Sequence, residues 1–116
     1  IFIQDMILVS PKARNMVGQA YTLRYIPARE DLNAITVFQD PAHPQRVGVE
    51  SIPPGYAMVI DSRKNPRAAS AGSILVTRMM KRGVAGVVTD GGFRDTHAIA
   101  QLNNPCYHNR PSAPIN

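Results

Sequence analysis

A layered α/β fold with at least some parallel strand pairing is predicted by three observations. Short apolar or β-branched runs recur at 17–26, 56–62 and 84–90. Two helical stretches, 72–83 and 94–102, follow the second and third of these runs. Strand, helix, strand, helix, strand is the chain order from which parallel sheets with helical crossovers are built. The chain has 116 residues, of which 44% are hydrophobic and 18% charged, so one globular domain over 1–116 is expected.

The elements are justified in order. "VGQAYTLRYI" (17–26) mixes β-branched and aromatic residues with partial alternation, the pattern of a strand. Residues 27–55 form a polar connection broken by prolines, with one short helix expected around Asp31 to Phe38. Pro53-Pro54-Gly55 turns the chain into "YAMVIDS" (56–62), a second strand that ends on Asp61. In "GSILVTRMMKRG" (72–83), Leu75 and Met79, like Val76 and Met80, stand four apart and give a helix an apolar face. Gly83 is its expected stop. "VAGVVTD" (84–90) reads as a strand buried on both faces. A helix over 94–102 follows Gly91-Gly92, with Asp95 placed to cap or charge its first turn. "NPCYHNR" (104–110) is a last short strand.

Several function classes are disfavoured. No apolar run approaches the ~20 residues of a membrane helix, and the opening "IFIQDMILVS" carries Asp5 with no basic region before it, unlike a signal peptide. A single cysteine, Cys106, excludes an internal disulfide and fits a reducing, cytoplasmic compartment. It reads as a buried inert thiol, although His108, two positions on, shares its strand face. The formal net charge is +5, but the basic residues are scattered and no nucleic-acid-binding motif accompanies them, so direct nucleic-acid binding is not expected. Positive charge also steers small anions toward a site.

The chemistry concentrates at two helix starts, Gly72 and Arg94, that strand–helix crossovers place on the same sheet edge. Free backbone amides at Gly72-Ser73-Ile74-Leu75 suit a carboxylate. Arg94 offers a planar fork for the same group, and Asp95 a hard oxygen for Mg²⁺ or Mn²⁺. On local grounds alone, Asp95 reads equally as a helix cap, Arg94 as a solvated surface charge, and Gly91-Gly92 as a plain turn. His97 stands two from Asp95, where helical side chains diverge; Asp61, His43 and Asp90 are weaker candidates.

The stretch "AGSILVTRMMKRGVAGVVTDGGFRD" resembles the signature of the RraA-like family. That family holds the class II 4-hydroxy-4-methyl-2-oxoglutarate/4-carboxy-4-hydroxy-2-oxoadipate aldolases and the protein regulators of RNase E. Gly72, Gly83, Gly86, Gly91, Arg94 and Asp95 fall in the family's register, and the likeness runs over about residues 17 to 110. "TLRYIPARED" and "DPAHPQR" resemble a subgroup described as ribonuclease activity regulators. The resemblance implies a β/β/α layered fold in a homotrimer with sites between subunits, and C-terminal strands that this chain lacks. The domain is therefore expected to be incomplete at both ends.

The resemblance also implies roles. Residues Gly72, Ser73, Ile74 and Leu75 would hold the substrate through their backbone, and Arg94 would bind the pyruvyl carboxylate and steady enolate charge. Asp95 would bind a divalent metal, largely through water. The implied reaction cleaves a 2-oxo acid to pyruvate, with oxaloacetate decarboxylation on the side. The runner-up is a non-catalytic partner that inhibits RNase E by protein–protein binding. Two departures bear on the choice: Ser73 and Ala98 stand where the family carries acidic residues. Losing such outer carboxylates typically costs ~10–100-fold in metal affinity or activity. A methyltransferase label within the family finds no glycine-rich nucleotide loop here.

Overall fold

The computed structural model describes residues 3–29 and 31–113. Its main sheet has five strands in the order β1-β7-β5-β3-β2: Ile7–Leu8 (β1), Cys106–His108 (β7), Gly86–Thr89 (β5), Ala57–Asp61 (β3) and Ala20–Arg24 (β2). The pairs β2–β3, β3–β5 and β5–β7 are parallel, and only the short β1 edge runs antiparallel. A second, two-stranded parallel sheet joins Ala69–Ala71 (β4) to Gly92–Phe93 (β6). Among the described residues three α-helices complete the fold, Pro44–Ser51 (α1), Ser73–Lys81 (α2) and Thr96–Ala100 (α3).

The register explains the core. Tyr21, Met58, Val87 and Cys106 form one row across four parallel strands, and Leu23, Ile60 and Thr89 form the next row on the same face. Met58, Val87, Cys106 and Ile60 are buried there in one cluster with Val49 and Ile52 near α1, Val76 and Met79 of α2, and Ile99 of α3. Side chains of the intervening row, Val59, Val88 and Tyr107, are only half-buried. Part of that opposite face lies under Ile3, Met6 and Met16 of the N-terminal segment, around a small apolar cleft.

The strands at 17–26, 56–62, 84–90 and 104–110 and the helix at 72–83 are all present within trimmed bounds. The α2 stop is well formed: Gly83 has φ +83°, its amide donates to Met80 O at 3.0 Å, and the Val84 amide donates to Met79 O at 3.1 Å. Those two bonds satisfy carbonyls that a helix end otherwise leaves open. Glu50 of α1 adds a bidentate pair with Arg78 of α2, at 2.8 and 2.7 Å.

Two expectations are corrected, and one helix lies where none was expected. The helix expected at 31–38 is a 3-10 helix at Ile35–Gln39 that buries no residue. It lacks an apolar face to anchor a longer α-helix, and Pro41 follows closely. The real helix of this connection is α1, with Pro44 in its first turn and His43 accepting from the Gln45 amide at 3.3 Å. The helix expected at 94–102 shrinks to Thr96–Ala100, because Asp95 takes a left-handed φ of +57° that no helix interior accommodates.

Candidate functional site

Two short segments meet at one end of the sheet. β4 leads into Gly72, the N-cap of α2, while β6 leads through Arg94 and Asp95 into α3. The Arg94 amide donates to Ala71 O at 3.1 Å, which extends the β4–β6 pairing and fixes Arg94 beside the start of α2. The next residue turns back. With Asp95 left-handed, its side chain caps no amide of its own helix. Its Oδ2 instead accepts from the Ser73 amide and from the Ser73 hydroxyl, both at 3.1 Å.

Asp95 thus caps α2 rather than α3, which corrects the expectation that it serves its own first turn. Arg94 Nε lies 3.8 Å from the same Oδ2. Both side chains remain accessible, 36% for Arg94 and 44% for Asp95, so the pair faces solvent at an open surface. Since the first helical bond of α2 runs from the Val76 amide to Gly72 O, the amides of Ile74 and Leu75 stand outside the ladder. The arrangement therefore brings a guanidinium, a carboxylate and a helix start together.

Gly72 is needed for space, not for backbone freedom. Its φ of −120° and ψ of −179° are open to any residue. A Cβ there would come within 2.6 Å of Arg94 Nε and 2.8 Å of Asp95 Oδ2. Beside it, Leu75 packs against the core while Ile74 points outward, 78% exposed at the rim of the site.

The turn that carries the pair is held from below. Asp90 accepts from the Ser62 amide at 2.6 Å and the Lys64 amide at 2.8 Å, tying the loop after β3 to the end of β5. The buried hydroxyls of Ser62, Ser70 and Thr89 join one another, and Thr89 Oγ1 also accepts from the Gly91 amide at 3.0 Å. Sequence reasoning missed this hydroxyl group. Its only signal is a polar residue near the end of each of three apolar segments.

The remaining candidates separate from the site. Cys106 and His108 do share the buried side of β7. Burial pushes the Cys106 thiol up to about 12, with a smaller opposing effect from Ser10, so it is not a nucleophile at neutral pH. His108 Nδ1 accepts from the Phe93 amide at 3.2 Å, and its ring stacks on Phe93 at 5.5 Å. Burial shifts that imidazole below its usual range, favouring the neutral acceptor form. Asp61 pairs with Arg24 at 2.7 Å, His43 caps α1, and His97 is exposed on α3, two positions past Asp95. Among the described residues no three His, Cys, Asp or Glu side chains converge to hold a metal ion. What the site offers a cation is one accessible carboxylate with a serine hydroxyl beside it. That donor set fits a hard ion that keeps most of its waters and takes further oxygens from a ligand.

Fold and site together define a mixed-sheet α/β domain with an arginine–aspartate pair at the corner where two helices start. The chain belongs to the RraA-like family: the family model described as RraA-like, Aldolase/RraA, matches residues 3–114. Solved structures are similar in fold. The RNA-processing inhibitor RraA from Thermus thermophilis superposes with a TM-score of 0.75 at 23% identity, over 97% of this chain and 60% of that one. Streptomyces coelicolor RraAS2, an unusual member of the RNase ES inhibitor RraA protein family, gives 0.72 at 25% identity, over 93% and 50%. A structure from Geobacillus kaustophilus described as an S-adenosylmethionine:2-dimethylmenaquinone methyltransferase gives 0.73 at 22%, over 96% and 60%. The chain therefore spans half to three-fifths of the length of these neighbours. No curated protein matches the sequence. Among the described residues no helix is long and apolar enough to cross a membrane.

Proposed function

We propose that this chain carries the site of a divalent-metal-dependent lyase that cleaves 4-hydroxy-4-methyl-2-oxoglutarate-type 2-oxo acids to pyruvate, and decarboxylates oxaloacetate on the side. The observation that carries this reading is the placement of Arg94 and Asp95 over the start of α2, with Asp95 Oδ2 3.1 Å from the Ser73 amide. A short 2-oxo acid presents a carboxylate next to a polarisable carbonyl, and both ends find partners here.

In this reading the Arg94 fork takes the pyruvyl carboxylate through paired N–H donors. The outer amides of Ile74 and Leu75 add dipolar attraction for the same charge. Asp95 would hold a Mg²⁺ or Mn²⁺ ion largely through water, with Ser73 steadying its carboxylate. When bound, such an ion supplies Lewis-acid polarisation of the 2-oxo group. Arg94 also offsets negative charge as the C–C bond breaks toward the pyruvate enolate. The exposure of apolar Ile74 beside the site supports a contact with a neighbouring copy, as in a homotrimer whose sites lie between subunits. The test is pyruvate release from oxaloacetate by the full-length protein, lost on adding EDTA and restored by excess Mg²⁺. Release that is indifferent to EDTA would overturn the metal role.

A second reading is favoured by one observation: the Asp95 carboxylate is already engaged by Ser73, where an acidic residue would have added charge for a cation. The chain would then act as a binding partner that inhibits RNase E without catalysis. Capture of RNase E by the immobilised protein, with no oxaloacetate turnover at millimolar Mg²⁺, is the result that selects it.

A further inference from the structure

A cavity of about 780 Å³ opens at the carboxyl ends of β2 and β3, away from the site just described. Its walls include Tyr25, Val37, Phe38 and His43, with Arg24 and Arg63 as its cationic members. None of Gly72–Leu75, Arg94 or Asp95 lines it. The volume lies in the ~300–1,000 Å³ range of small-molecule sites, and open α/β sheets bind ligands beyond the carboxyl ends of their strands.

Three features make this a built cavity rather than a gap between loops. The Tyr25 hydroxyl donates to Ser70 O at 2.7 Å and accepts from Gln45 Nε2 at 2.8 Å, so one wall is fixed to β4 and α1. Burial pushes that phenol up to about 12, keeping it a neutral donor. Arg63, which lines the cavity, and the next residue Lys64 sit consecutively in the left-handed region, at φ +55° and +56°. Non-glycine residues hold that conformation only where the surroundings fix it, and such strain clusters at ligand sites. Here Asp61 Oδ1 accepts from the Arg63 amide at 2.9 Å, and Asp90 Oδ2 from the Lys64 amide at 2.8 Å.

The charge is one-sided. No Asp or Glu lines the cavity among the described residues. Asp61 lies just outside, and it faces two guanidiniums: Arg24 pairs with it at 2.7 Å, while Arg63 adds a second positive charge nearby. One carboxylate against two cations leaves an excess positive charge at the mouth of an otherwise largely apolar space.

We propose that this cavity is a second small-molecule site, for an anion with a flat apolar body such as an aromatic carboxylate, its charge held by Arg63 and its body packed against Val37 and Phe38. The proposal stands independently of the lyase reading. The probe is 2-naphthoate, titrated calorimetrically into the full chain, with the neutral 2-naphthalenemethanol as comparison. The variant Arg63→Asn removes the charge with a residue that tolerates the left-handed backbone, and thermal unfolding verifies that it folds. The expected result is saturable 2-naphthoate binding, weakened roughly tenfold or more by Arg63→Asn or by using the neutral probe, and unchanged in Arg94→Ala. Absence of saturable binding at millimolar probe, equal affinity in Arg63→Asn, or loss of binding in Arg94→Ala would each overturn it.

Discussion

Asp95 and Ser73, twenty-two positions apart, form the contact on which the candidate site turns: one carboxylate oxygen receives both the amide and the hydroxyl of the serine. The bond joins the start of α2 to the residue before α3, so it holds the two helix starts in register. Removing the hydroxyl alone, with Ser73→Ala, leaves the amide bond and should cost about 0.5–1.5 kcal/mol, the scale of one hydrogen bond. Thermal unfolding checks this. An unchanged melting temperature would show that the hydroxyl contact does not contribute.

Ser73→Asp tests the same contact from the electrostatic side. It places a second carboxylate against Asp95, which is repulsive without a counter-ion and attractive to a cation between them. The variant should melt lower than wild type in EDTA and gain more than wild type on adding Mg²⁺. Equal Mg²⁺ responses in the two proteins would argue against a cation at this corner.

Gly72→Ala separates stability from function. The backbone there suits alanine, so the fold should survive, at a cost of about 1 kcal/mol for the displaced Asp95 cap on α2. The new methyl group falls on Arg94 Nε and Asp95 Oδ2, which must swing away. Pyruvate release should drop roughly tenfold or more, since misplaced groups lose catalytic alignment steeply. Full activity would show that the positions of these two side chains are not what matters.

Acid should weaken the fold through His108 before the carboxylates titrate. Its imidazole is buried and accepts from the Phe93 amide, and burial holds its pKa below the usual histidine value of about 6.5. A depressed histidine pKa means that the unfolded chain binds the proton first. The contribution is therefore present above about 6.5 and is lost as pH falls from there toward the folded value. The melting temperature should decline on going from neutral pH to about 5, and His108→Gln should flatten that decline. A decline of the same size in the variant would place the effect elsewhere.

Cys106 should resist thiol reagents in the native state and react only on unfolding, because its thiol is both buried and raised to about 12. Stoichiometric labelling of the native protein within minutes would contradict its placement in the core.

The parts legible in the sequence are those with a strong local period or a fixed spacing. The apolar face of α2, its glycine stop and the continuous runs of β3 and β5 announce themselves, and the interval from Gly72 to Arg94 carries the family likeness. What was not legible depends on distant partners. β4 and β6 are three and two residues long and exist through their pairing with each other. The start of α1 lies in a proline-rich stretch, where His43 and Pro44 look like further turn residues although they initiate a helix. Asp95 illustrates the limit best: its local pattern reads as a cap for α3, and only its left-handed backbone redirects it to α2. The cavity beside Arg63 draws on five segments between Leu23 and Ala69, which no local pattern could have connected.

The central claim is that Arg94 receives the carboxylate of a 2-oxo acid at the corner it shares with Asp95. The most direct measurement compares pyruvate release from oxaloacetate by wild type and Arg94→Ala at saturating Mg²⁺, with circular dichroism confirming that both are folded. The account predicts a loss on the order of 10²–10³-fold, the scale set by removing a donor aimed at developing charge. Equal rates in the two folded proteins would contradict it.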